Sequence, residues 1–159
     1  MKKKVLITLV LLFFIALSSA VTYAITTGAF GQQHKKPSDY KVGVSYEQAM
    51  SGEKPVLAVF YVDWCGYCMR FMPKFKALES VYKKDYNLLM INAEDPEREN
   101  LVKDVRLSGY PTLYIFDPKY DNRVHLSSSI YGDLKAFRKE VDRYTKIRKL
   151  LDKSTSCEK

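Results

Sequence analysis

The pattern of apolar and polar positions changes period several times between residues 40 and 152, and each change marks a predicted element. Ser45 is placed to cap a short helix through Met50, which Ser51-Gly52 ends. After Pro55 comes a continuous apolar run, Val56-Leu57-Ala58-Val59-Phe60-Tyr61-Val62. Its length and its Val, Phe and Tyr content predict a strand buried on both faces. From Cys65 to Lys84 the period is helical: Phe71, Phe75, Leu78 and Tyr82 share one side, and Pro73 inside the helix should kink it. Leu88-Leu89-Met90-Ile91 predicts the next strand. Asp95-Pro96-Glu97 starts a helix running to about Leu107, with Ser108-Gly109 beyond it. Thr112 to Phe116 reads as a third strand, turned by Asp117-Pro118, and the more polar stretch from Arg123 to Ile130 as a fourth at a sheet edge. Gly132-Asp133 opens a last helix reaching about Asp152, with Leu134, Phe137, Val141 and Tyr144 on its apolar side. Strands and helices in this order predict an α/β fold with helices flanking one central mixed sheet.

Ahead of this domain, residues 5–25 carry no charge and follow Lys2, Lys3 and Lys4. As a helix the segment would be about 31 Å long, close to the hydrocarbon thickness of a bilayer, and the lysines would hold its start on the cytoplasmic side. It also parses as a secretory signal with small-residue cleavage sites. Residues 1–25 are therefore expected to be a signal peptide or a signal-anchor transmembrane helix. Residues 26–38 read as a linker, 39–152 as the folded domain and 153–159 as a polar tail. The domain is expected to be exported, periplasmic or otherwise extracytoplasmic, and membrane-anchored where the leader is kept.

The chain has 159 residues, 47% hydrophobic and 28% charged, which fits one folded domain and not a disordered chain. Its net charge of +8 hints at nucleic acid until it is located. Five of the 26 basic residues precede Asp39, whereas all 18 acidic residues lie from Asp39 onward, so the domain and tail carry only +3. A nucleic-acid partner is not expected, because no basic stripe is left on the folded part.

Cys65-Gly66-Tyr67-Cys68 stands where a buried strand ends and a helix begins. Two cysteines on a first helical turn can close a disulfide with little backbone movement. The first sulfur faces the free amides and positive end of the helix dipole, which favours thiolate over a thiol of ordinary pKa about 8.5. The second, one turn inward, is expected to be more buried and to resolve what the first captures. Structural zinc would have to recruit Cys157, His34 and His125, two of them in the predicted linker and tail. A c-type haem needs His after the second cysteine, where the chain has Met69. A permanent disulfide over so short a loop would be a poor staple. No metal and no cofactor beyond a redox-active Cys65–Cys68 disulfide is expected. Cys157 is an odd thiol in a polar tail, either without a role or open to an intermolecular bridge.

Over about residues 40–151 the chain resembles thioredoxin-fold proteins. The resemblance rests on Phe60 through Cys68, on Pro73 five positions later, and on Gly109-Tyr110-Pro111-Thr112 before a strand. It implies that Pro111 is cis beside the cysteine pair and that Cys65 and Cys68 are catalytic. It also implies that Trp64, Gly66, Tyr67, Tyr110 and Pro111 bind the substrate, with the Tyr110 backbone pairing to an extended segment. The chain departs from the reducing thioredoxins at Val59, where they carry a buried Asp, and at Met90, read as the place of its Lys partner. Asp63 is then the nearest acid in sequence. Gly66-Tyr67 replaces their Gly-Pro and is similar to the dipeptide of periplasmic disulfide isomerases. The Tyr67 N–H is expected to aim at the first sulfur and make the couple more oxidising.

These readings predict a thiol–disulfide oxidoreductase acting on protein disulfides or dithiols, a reductase before an isomerase or oxidase. The isomerases of this type add a dimerisation domain for which this length leaves no room. Expected partners are protein thiol substrates, a membrane electron-transfer protein and, through the leader, the membrane. The alternative is a client-binding module of the same fold without redox turnover.

Overall fold

In a computed structural model the described residues are 35–157, together with 7, 10, 12–15, 17 and 18. The chain divides into two units, Met1–His34 and Lys35–Lys159. In the first, the described residues are helical and exposed. Most of the segment read as a signal peptide or anchor lies outside the described residues, as do residues 158 and 159. Among the described residues no helix is long and apolar enough to cross a membrane.

The second unit holds four strands, β1 (Val56–Tyr61), β2 (Asn87–Asn92), β3 (Thr112–Asp117) and β4 (Asn122–Leu126), and four α-helices, α1 (Tyr46–Met50), α2 (Gly66–Tyr82), α3 (Glu99–Val105) and α4 (Leu134–Cys157). The sheet order is β2-β1-β3-β4. β1 runs parallel to β2, with Val59 opposite Met90, and antiparallel to β3, with Val59 opposite Leu113. β4 pairs antiparallel to β3 and forms the edge.

The apolar run of β1 is buried at every position because the strand is central and its side chains alternate between two cores. Leu57, Val59 and Tyr61 share one core with Cys68, Phe71, Met72 and Phe75 of α2 and with Phe137, Val141 and Tyr144 of α4. Val56, Ala58 and Phe60 share the other with Ala49, Leu89, Ile91, Val105 and Phe116. Gly43, at φ +78°, lies so close to β2 that an added Cβ would be 1.8 Å from the Leu88 carbonyl oxygen.

Local chemistry moves several boundaries. The folded unit takes in residues 35–38, which composition had assigned to the linker: Pro37 is buried and Pro37–Asp39 forms a 3-10 turn. The helix expected to run from Pro96 to about Leu107 is instead a 3-10 turn, Pro96–Arg98, followed by α3, and Arg106 stops it in the left-handed region at φ 49°. β4 ends at Leu126 rather than Ile130, since Ser127 caps a 3-10 turn, Ser128–Ile130. Leu134 is exposed, not on the apolar side. It is the first residue of α4, one turn ahead of Phe137, where the helix meets the core. Residues 153–157, read as tail, continue α4; the Ser154 and Thr155 hydroxyls donate back to the Leu151 carbonyl at 2.8 and 2.7 Å.

Candidate active site

β1 ends at Tyr61, and four residues later Cys65 caps α2. Cys65 has extended backbone angles, so its sulfur turns back over the first helical turn and accepts from the Cys68 amide at 3.2 Å. Its thiol also donates to the Tyr110 carbonyl at 3.5 Å, which joins the pair to the loop before β3. The Tyr110–Pro111 peptide bond is cis, as the resemblance implied. Cys65 is 7% exposed and Cys68 0%, so the first sulfur lies nearer the surface, as the helix position predicts. Burial pushes the Cys68 thiol up to about 12, with the Cys65 sulfur beside it a smaller contribution. Val59, fully buried, belongs to the same core. The donor to the Cys65 sulfur is the Cys68 amide; among the described residues the Tyr67 amide makes no such bond, which corrects the expectation placed on Tyr67.

The five residues expected to bind substrate do not form one wall. Trp64 and Tyr67 are both exposed, but only Tyr67 lines the groove with Tyr110 and Pro111. The Trp64 indole N–H donates to Glu94 at 2.9 Å, and its ring meets Tyr110 edge-on at 6.3 Å between centroids. The Tyr67 ring lies under the Arg70 guanidinium, 4.7 Å from the centroid. Tyr67, Tyr110 and Pro111 line an open groove of about 630 Å³, with Arg70, Phe71 and Lys74 along the α2 side. A Cβ at Gly66 would have only Arg70 Nη1 within 4 Å, at 3.9 Å.

Several contacts around the site were not anticipated from the sequence. Asp63 accepts from the Ser38 amide at 2.9 Å and from the Ser38 hydroxyl at 2.7 Å, so the nearest acid in sequence holds the N-terminal segment of the unit. Tyr131, also on the groove, donates to the Leu126 carbonyl and accepts from the Leu113 amide, each at 2.8 Å. Nothing local signals either contact. Arg70, Phe71 and Lys74 do carry a signal: they stand three, four and seven places after Tyr67, the spacing of one helix face.

Residues 39–139 match the thioredoxin family. A chloroplastic thioredoxin-like protein of Oryza sativa, HCF164, is 31% identical over 111 residues, 64% of this chain and 42% of that protein. A protein disulfide isomerase-like protein 2-2 of the same species is 38% identical over 63 residues, 40% of this chain and 17% of that one. The chain thus spans less than half the length of these curated relatives. Among solved structures, a mutant thioredoxin from Halobacterium salinarum superposes with a TM-score of 0.50 at 27% identity, over 62% of this chain and 80% of its own. With the mixed four-stranded sheet and the cysteine pair at the head of α2, these matches show that the chain belongs to the thioredoxin family.

Proposed function

We propose that the protein is a thiol–disulfide oxidoreductase that reduces protein disulfides outside the cytoplasmic membrane. The observation that carries this is the pairing of a near-surface sulfur, Cys65, with a buried thiol on the same helical turn, whose amide donates to that sulfur. In the forward direction Cys65 Sγ attacks one sulfur of a client disulfide. That S–S bond breaks, the other client sulfur leaves as a thiolate, and a mixed disulfide joins Cys65 to the client. Cys68 then loses its proton and attacks Cys65 Sγ, which frees the second client sulfur and leaves Cys65 and Cys68 joined. Two electrons pass to the client. The core around Cys68 is apolar, so the departing client thiolate is the base at hand for the Cys68 proton.

A resolving thiol one turn from the mixed disulfide permits the complete two-electron transfer that a reductase requires. The uncharged segment at residues 5–25, behind three lysines, supports export and a place beside a membrane dithiol carrier that reduces the pair again.

Insulin reduction by the full chain, with dithiothreitol as electron source, tests the reading. Turnover is expected for the wild type and lost in Cys65→Ser, while Cys68→Ser accumulates the mixed disulfide on non-reducing gels. Client binding without turnover in the wild type would favour the binding module instead. Equilibration with glutathione sets the direction: a potential near the thioredoxin value of about −270 mV supports reduction, and one near about −120 mV overturns it.

A further inference from the structure

We propose that the groove beside Cys65 selects disulfides whose flanking residues are acidic, through Arg70 and Lys74. The inference rests on the oxidoreductase reading and adds a substrate class to it. Both cations lie on the exposed face of α2, one turn apart, and both line the groove that Tyr110 and Pro111 close from the other side. No carboxylate lines that groove among the described residues. Nor does either cation have an acidic partner among them, a state they share with other exposed cations such as Lys76, Lys83 and Lys84; what sets them apart is their place on the groove.

Two like charges at i and i+4 repel each other and weaken an isolated helix slightly, so the fold gains nothing from the pair. An incoming carboxylate would relieve that repulsion. The Arg70 guanidinium, held over the Tyr67 ring, is set to meet a planar carboxylate from the side. The nearby acids lie outside the groove's lining and are already engaged: Glu94 takes the Trp64 indole N–H, and Asp63 is occupied by Ser38. The groove therefore offers cations and no acid, and an extended client with acidic residues against Arg70 and Lys74 complements it.

The test uses three peptides of one sequence, each with a single cysteine capped as a disulfide with 5-thio-2-nitrobenzoate and flanked by Glu, Gln or Lys. Attack by Cys65 on the peptide sulfur breaks the cap's S–S bond and releases the coloured thiolate. Cys68 then expels the peptide thiol, so the protein dithiol is oxidised as the capped peptide is reduced. At low salt the Glu peptide is expected to react about tenfold faster than the Lys peptide, with Gln between them and the ratio shrinking as salt rises. In Arg70→Glu/Lys74→Glu the order should invert. Lys83→Glu/Lys84→Glu, which changes exposed cations away from the groove, should keep the wild-type order. Equal rates for the three peptides, or the same inversion in the second double variant, overturn the charge preference and leave the oxidoreductase reading intact. No release from any peptide overturns both.

Discussion

The two ends of the sheet are built on opposite principles. At the end where β1 delivers Cys65, the chain leaves Trp64 and Tyr67 exposed, and Arg70 and Lys74 have no ion partner among the described residues. At the other end, where β3 finishes, Asp117 is buried and its Oδ2 accepts from Arg148 Nε at 2.7 Å and from the Tyr144 hydroxyl at 3.1 Å. Arg148 also reaches Asp152 at 3.2 Å and the Glu53 carbonyl, and Asp152 in turn accepts from Lys119 at 2.6 Å and from the Tyr120 hydroxyl at 2.8 Å. One end is stitched across α4, β3 and the turn after it, with Asp117 Oδ1 a buried oxygen left without a hydrogen bond, while the other leaves two groove cations without an ion partner among the described residues. The difference teaches that the polar anchoring of α4 and the cysteine pair lie at opposite ends of the sheet, joined by the apolar core that Tyr144 shares with Cys68.

The strongest way to break that division is Arg148→Met. It leaves the Asp117 carboxylate buried with only the Tyr144 hydroxyl donating to it, and a buried charge stripped of its partner costs about 3–5 kcal/mol. For a domain whose whole stability is about 5–15 kcal/mol, that is a large share. The urea midpoint should fall accordingly, while the protein that remains folded turns over insulin at the wild-type rate. Adding Asp117→Leu removes the stranded charge and should recover most of the loss. A variant of normal stability and lost activity would show that the two ends are coupled after all.

Alkali acts on both ends together. Burial pushes Tyr131, beside the groove, up to about 12. Burial, aided by Asp117, does the same to Tyr144 at the far end, and burial with Asp142 to Tyr82. These phenols stay neutral in the folded chain and ionise near their ordinary value of about 10 once it unfolds. Their contribution to stability is therefore complete below about pH 10 and is lost as pH rises from there through about 12. Because the Cys68 thiol is likewise raised, from an ordinary value of about 8.5 to about 12, urea midpoints of the reduced protein flat to about pH 8, sloping from about 8.5 and falling steeply by pH 11.5 are the expected result. Tyr144→Phe should soften the fall without touching the site.

Legibility followed the range of the interactions. β1 could be read because a strand buried on both faces needs an unbroken apolar run, and the cysteine pair because its chemistry is confined to four residues. The α2 face that carries Arg70 and Lys74 was readable from spacing. Asp117 was not: in sequence Asp117-Pro118 is a turn signal, and only the register that ends β3 there, with Arg148 arriving from α4, makes it a buried anchor. Ser38 was hidden for the same reason. Its partner Asp63 is 25 positions away, so a polar, aperiodic stretch looked like linker. The N-cap role of Cys65 was implicit in its place before a helix. Which amide would reach the sulfur depended on the backbone angles of Cys65, and these chose Cys68 over Tyr67.

The smallest stability effect belongs to the site end and sharpens the comparison from the other side. Trp64 is 69% exposed and Tyr67 71%, and neither is part of a core. Trp64→Phe removes one exposed hydrogen bond to Glu94, and Tyr67→Ala removes an exposed ring that Arg70 lies over. Surface changes of this kind fall within about 0.5 kcal/mol, so both urea midpoints should stay close to wild type. Reaction with a Glu-flanked peptide should slow severalfold in Tyr67→Ala, because Arg70 loses the ring that orients it. Trp64→Phe, outside the lining of the groove, should leave the preference for Glu over Lys unchanged. Two exposed aromatics with equal and negligible weight in folding would then differ in recognition, which a surface made only for solubility would not produce.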